Sequence, residues 1–233
     1  MNKQHVQVPS MDLKANNLQN IDPYVYACIK RYMNTATREA FPSIQKLIED
    51  SGLSKVTLLK AIKRLEDAGF FSITREYGTS NHYLFNEEKK FEIFSYEFLD
   101  DKDLTPKEKA YLVASQQYMF KGEKLGGITF SSEKLASSIG LSLNSLKKYE
   151  TSLEEKGILT KSPIKKDNAT GLNVYERIYD FEKFCNILAL KFVQQDEKLD
   201  NHEIRIKHLE EQLRMVMEEN KRLRKERETE IVL

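Results

Sequence analysis

The chain has 233 residues, 31% of them charged, with a formal net charge of +1. That length holds two small domains and an extension, and the near-neutral balance excludes a histone-like coat of positive charge while permitting a basic face offset by acid elsewhere. Cys28 and Cys185 make neither a disulfide framework nor a zinc-ligand spacing, no apolar run approaches the ~20 residues that span a bilayer, and the first ten residues lack the apolar core of a signal peptide, so a soluble cytoplasmic chain is expected.

In chain order, residues 1–20 are expected to be a flexible segment. Asp22-Pro23 reads as a cap followed by proline at the first helical position, opening a helix through about Asn34. A short helix is predicted over Ser43–Asp50. Gly52 then supplies the backbone for a tight turn, and Ser54 caps a second helix that buries Leu58, Ile62 and Leu65 and stops at Gly69. The run Phe70–Asn86, "FFSITREYGTSNHYLFN", alternates on both sides of a turn near Gly78–Asn81 and reads as a β-hairpin. Next comes "NEEKKFEIFSYEFLDDKD", in which Phe91 and Ile93, and Phe94, Tyr96 and Phe98, alternate. That suits a short strand or extended connector with an apolar face, against which two domains pack.

The pattern then recurs. "TPKE", Thr105–Glu108, is a capping box with proline inside. Comparing Ser43–Gly69 with Ser131–Gly157, 88 residues on, gives eleven identities in 27 positions without a gap. The second copy has its short helix over Ser131–Ile139, its turn at Gly140, its cap at Ser142, buried Leu146, Tyr149 and Leu153, and its stop at Gly157. A looser hairpin follows, with its tip around Lys165–Gly171. Two helices joined by a glycine turn make a helix-turn-helix; with a helix before and a hairpin after, each copy is a winged helix. The expected fold class is mainly α with small β-hairpin wings. The expected boundaries are 21–86 for the first winged-helix domain, 87–103 for the aromatic connector, 104–180 for the second domain and 181–233 for a long C-terminal helix.

The stretch "FPSIQKLIEDSGLSKVTLLKAIKRLEDAGFF" followed by "GTSNHYLF" resembles the winged helix-turn-helix domains of phage and plasmid proteins, among them transcription regulators and replication initiators. The resemblance covers about Phe41–Phe85 and, less closely, Leu104–Asp180. It implies that the second helix of each motif enters the major groove of DNA and that the wing touches backbone or minor groove. Helical period then places Lys55, Val56, Thr57, Leu59, Lys60 and Lys63 outward, beside the cap Ser54. Lysine suits phosphate or guanine, threonine suits phosphate or base, and valine suits a thymine methyl. In the second copy the corresponding set is Ser142, Leu143, Asn144, Ser145, Lys147 and Lys148, with Asn144 suited to adenine. The wings add Arg75, Thr79, Ser80, Asn81 and His82, then Lys161, Lys165, Lys166 and Asn173. Glu150 stands where the first copy has Ile62, so the second reading helix is expected to pack differently.

From about Phe181 to the end there is no proline or glycine, and charges are dense and mixed. With Leu199, Ile206, Leu213 and Asn220 at a, Leu209, Val216 and Leu223 fall at d, a coiled-coil seam from about residue 199. Asn220 at a favours a two-stranded pair, and Arg205–Glu210 and Glu219–Arg224 are attractive g–e pairs in a parallel homodimer. His5, His82, His202 and His208 form no triad or metal set, and no "GxxxxGK" loop occurs. No enzyme activity, cofactor or metal is therefore expected. The reading is a dimeric, sequence-specific binder of double-stranded DNA. A transcription regulator comes first, an initiator at repeated origin sites second, and a scaffold whose winged helices bind protein third. The transcription or replication machinery would be a further partner.

Overall fold

The computed structural model describes residues 5–75, 80–86, 90–119, 127–166 and 170–180. In order they form β1 (His5–Pro9), α1 (Asp22–Lys30), β2 (Glu39–Ala40), α2 (Ile44–Ser51), α3 (Lys55–Asp67), β3 (Phe71–Thr74) and β4 (His82–Phe85). There follow β5 (Phe91–Ser95), α4 (Tyr96–Asp100), α5 (Pro106–Gln116), β6 (Gly127–Ser131), α6 (Ser132–Ser138), α7 (Leu143–Glu155), β7 (Leu159–Lys166) and β8 (Asn173–Tyr179). The C-terminal seam, with Leu199, Ile206, Leu209, Leu213, Val216, Asn220 and Leu223, lies outside the described residues.

Local chemistry sets the helix-turn-helix in each copy. Ser43 Oγ accepts the Lys46 N–H at 3.1 Å and opens α2. Gly52, at φ 65, closes it and gives its N–H to Ile48 O. Ser54 Oγ then accepts the Thr57 N–H at 3.3 Å to start α3. Ser131, Gly140 at φ 67, and Ser142 repeat these steps for α6 and α7. α3 and α7 are both 13 residues long. They end in the same pair of bonds, Gly69 N–H to Glu66 O with Phe70 N–H to Leu65 O, and Gly157 N–H to Glu154 O with Ile158 N–H to Leu153 O. This is the Schellman closure, which satisfies the last carbonyls.

Each wing belongs to a three-stranded antiparallel sheet, ordered β2-β4-β3 and β6-β8-β7. The third strands, β2 and β6, go beyond the sequence reading: β2 is two residues long and too short to show alternation, and β6 is the five-residue run Gly127–Ser131 directly before α6. Three other expectations need correction. α1 begins one residue after its N-cap, Ile21, and ends at Lys30, short of Asn34. Asp22 is not the cap. It is fully buried and accepts two bonds from Arg64, at 2.7 and 2.6 Å. Nor is the segment after residue 4 a flexible tail. Val6 and Val8 are buried on β1, which pairs antiparallel with β5, and Met11, Leu13 and Leu18 enter the core. The short β1 strand covers an otherwise open edge of β5. Finally, the alternation in the connector stops at Ser95, whose Oγ accepts the Phe98 N–H and starts α4. Phe94 and Phe98 then meet at helical spacing, 5.6 Å between ring centres.

The described residues share one core, to which both copies contribute, and α1 packs on α5. The seam has a reciprocal character. A Cβ added at Gly52 would lie 3.0 Å from Pro106 Cγ, and one at Gly140 would lie 3.7 Å from Asn20 N and 4.0 Å from Leu18 O. The turn of the first copy thus packs against the start of α5, and the turn of the second against the chain just before α1. Arg31 forks onto Asp100 at 2.7 and 3.1 Å, and Lys109 Nζ donates to Leu99 O at 2.6 Å, fastening the first and second copies to the connector between them.

Candidate nucleic-acid interface

α3 buries Leu58, Ala61, Ile62 and Leu65 on one face. The opposite face shows Ser54, Lys55, Val56, Leu59, Lys60 and Lys63 to solvent, with Val56 63% and Leu59 41% exposed. Thr57 is half-buried, its hydroxyl 2.9 Å from Ser54 Oγ. No acid stands in the first turn of α3. Lys63 meets Asp67 at 3.4 Å in the last turn, whereas Lys55 and Lys60 pair with no acid among the described residues. The back of the helix is held by the buried Asp22–Arg64 fork. The outward face is therefore cationic and apolar, mounted on a fixed support.

α7 buries Leu146, Glu150 and Leu153, with Tyr149 half-buried. Asn144, Lys147 and Lys148 are exposed, and Ser145 is half-buried with its hydroxyl 2.9 Å from Ser142 Oγ. Leu143, expected to face outward, is half-buried and packs on the core. The support of α7 is a second acid on a first helix. Glu108 accepts bonds from Lys156 Nζ, at 2.8 and 2.7 Å, from Ser152 Oγ, and from the Thr105 backbone and hydroxyl. Burial pushes this carboxyl up, but those bonds more than offset burial and hold it at about 2. The capping box expected at Thr105–Glu108 is present, yet Glu108 does double duty as an anchor for α7.

Glu150 does change the packing, and the partners are visible. It is 1% exposed, and it bonds to Arg177 Nε through one oxygen and to Lys161 Nζ through the other. Arg177, fully buried, also donates to Phe130 O at 2.8 Å and to Ser132 Oγ at 2.9 Å. Lys161 is thus taken from the set of wing contacts; it faces the core and lies over the Tyr175 ring.

In the first wing, Arg75 is bound to Glu66 at 3.0 and 2.6 Å, which raises its pKa and straps hairpin to α3. Asn81 Nδ2 donates to Tyr83 Oη at 3.1 Å, and His82 stacks on Phe41 with ring centres 4.5 Å apart. Ser80 is exposed, and Thr79 lies outside the described residues. Lys165, Lys166 and Asn173 are exposed near the end of the second wing. Sequence reasoning missed the two helix anchors and the strap, since each joins residues at least nine positions apart. The charged trio had a partial signal: Glu150 stands where the first copy has Ile62, and Lys161 where it has Ile73.

Among the described residues, no cluster of His, Cys, Asp or Glu is arranged to hold a metal ion, and no helix is long and apolar enough to cross a membrane. Cys28 is buried, and burial pushes its thiol up to about 12.

Residues 17–70, which span α1 to α3, match the family model of a helix-turn-helix domain. The comparison with curated proteins found no match. The first copy is therefore a helix-turn-helix domain, and DNA is the partner this domain type suggests.

Proposed function

We propose that the chain is a sequence-specific binder of double-stranded DNA that regulates transcription from the cytoplasm, with no catalytic activity. α3 is the reading helix of the first copy and α7 that of the second. The carrying observation is the outward face of α3: Lys55 and Lys60 without acidic partners among the described residues, and no carboxylate in the first turn. Phosphate contacts from such lysines supply most of the affinity for DNA. The C-terminal heptads, Leu199 to Leu223, pair two chains in parallel, and two chains placed by a two-fold axis favour an operator of inverted repeats.

The test is selection of bound sites from random DNA, followed by titration of the selected site at several salt concentrations. The double variant Lys55→Ala, Lys60→Ala is expected to fold normally and to bind more weakly. Its slope of log K against log salt should fall by about one for each phosphate that a lysine no longer neutralises. Unchanged affinity and slope would remove α3 from the interface. Recovery of direct repeats in place of an inverted site would favour an origin-binding initiator.

A further inference from the structure

Building on that reading, we infer that Val56 and Leu59 form a methyl-reading tip on α3, so that within each chain's half-site the segment under the first copy is specified through thymine and differs from the segment under the second. Single exposed apolar side chains are ordinary on protein surfaces. These two are three residues apart, hence neighbours on one helix face, and are 63% and 41% exposed.

The fold does not need them there. At the matching positions of α7, 88 residues on, stand Asn144 and Lys147, both exposed on a helix of the same length with the same cap. An amide and an ammonium are accepted at these places, so packing does not account for valine and leucine. The surroundings point to a polyanion as the occupant. Lys55 and Lys60 flank the pair, and the acids of α3, Glu66 and Asp67, lie at its far end, each already bound to a cation.

In the major groove the unmodified bases offer one apolar group, the C5-methyl of thymine. A valine and a leucine beside two phosphate-seeking lysines suit that group and offer adenine or guanine no hydrogen bond. Asn144 and Lys147 offer the reverse: a bidentate partner for adenine and a donor for guanine. The copies share a scaffold and differ at the tip. The seam between them, with Gly52 against Pro106 and Gly140 against Leu18 and Asn20, holds the unlike tips in one body.

The experiment uses the full chain and the duplex recovered by selection, with each thymine replaced in turn by deoxyuridine, which lacks only the methyl. In one segment of each half-site, one or two replacements should each weaken binding about fourfold, the loss expected for one buried methyl. The other segment should be indifferent. The double variant Val56→Ala, Leu59→Ala should bind the unmodified site more weakly by a similar factor and lose its sensitivity to deoxyuridine. Because both side chains are exposed, its melting temperature should match wild type. The inference is overturned if no thymine in the wild-type complex is sensitive, if sensitivity is equal in the two segments of a half-site, or if the variant keeps the full penalty. A selection that enriches no sequence refutes the DNA-binding reading itself, a result separate from all of these.

Discussion

The two copies close the same scaffold with opposite chemistry. In the first, Ile62 on α3, Ile73 on β3 and Tyr83 on β4 occupy the region between α3 and the sheet. In the second, the matching places hold Glu150, Lys161 and Arg177. The strand register confirms the match. Ala40 and Ile73 are the partners of Tyr83 in one sheet, and Ile128 and Lys161 are the partners of Arg177 in the other. The first trio requires shape, burial and one bond, from Asn81 Nδ2 to the Tyr83 hydroxyl. A charged trio survives burial because every group is bonded: two cations sit on one carboxylate, and the two other guanidinium nitrogens donate to Phe130 O and Ser132 Oγ. A fold can therefore keep its backbone while exchanging the chemistry of its core, provided all members of the set change together.

Breaking the set should give the largest effect. Glu150→Leu leaves the Arg177 guanidinium buried without its counter-charge and should destabilise the full chain by about 3–5 kcal/mol in urea unfolding. Changing the whole set to the first copy's residues, with Glu150→Ile, Lys161→Ile and Arg177→Tyr, should recover most of that loss. A single variant within about 1 kcal/mol of wild type, measured by the same unfolding curves, would show that the trio is not a coupled unit.

The helix anchors sharpen the comparison with pH. Glu108 sits at about 2 in the folded chain, below the ~4.3 of an unfolded glutamate. A depressed carboxyl contributes its full stability above the unfolded value, and that contribution is lost as pH falls from ~4.3 towards 2. Glu108→Gln should therefore cost about 2–3 kcal/mol near pH 7 and progressively less as pH drops, until the two proteins converge. Urea midpoints compared at about pH 7, 4 and 2.5 test this. A cost independent of pH would mean that Glu108 acts through shape alone.

The turns should give the smallest difference. Alanine is strained by about 1–2 kcal/mol at either glycine, since φ is 65 at Gly52 and 67 at Gly140. Only at Gly52 must a neighbour also yield, because the new methyl meets the Pro106 ring at 3.0 Å, against ordinary contact at Gly140. Gly52→Ala should lower the melting temperature more than Gly140→Ala, as read by thermal unfolding of each full-length variant. Equal losses would show that the seam accommodates a methyl without resistance.

Much of this was legible in the residues. Ser43, Ser54, Ser131 and Ser142 act where a hydroxyl three positions before a free N–H must act, and Gly52 and Gly140 stand where the chain turns left-handed. Leu58, Ile62 and Leu65 face inward, as their spacing requires. The exposed lysines of α3 and α7 were equally readable, because a 3.6-residue period fixes what lies opposite the buried stripe. The removal of Lys161 from the wing surface and the binding of Arg75 to Glu66 were not, since both depend on which side chain a strand or hairpin brings within reach.

By itself the sequence determined the local elements and their duplication: caps, turns, buried stripes and hairpins all rest on contacts within a few residues, whose chemistry is written in order along the chain. The tertiary structure alone decided the rest. It placed β1 on β5, Asp22 under Arg64, Glu108 under Lys156, and Gly52 against Pro106. Each of these joins parts of the chain from 42 to 90 positions apart, and no local period records such a pairing. They form because buried charges must find counter-charges and open strand edges must find partners, conditions that can be met only once the chain is packed.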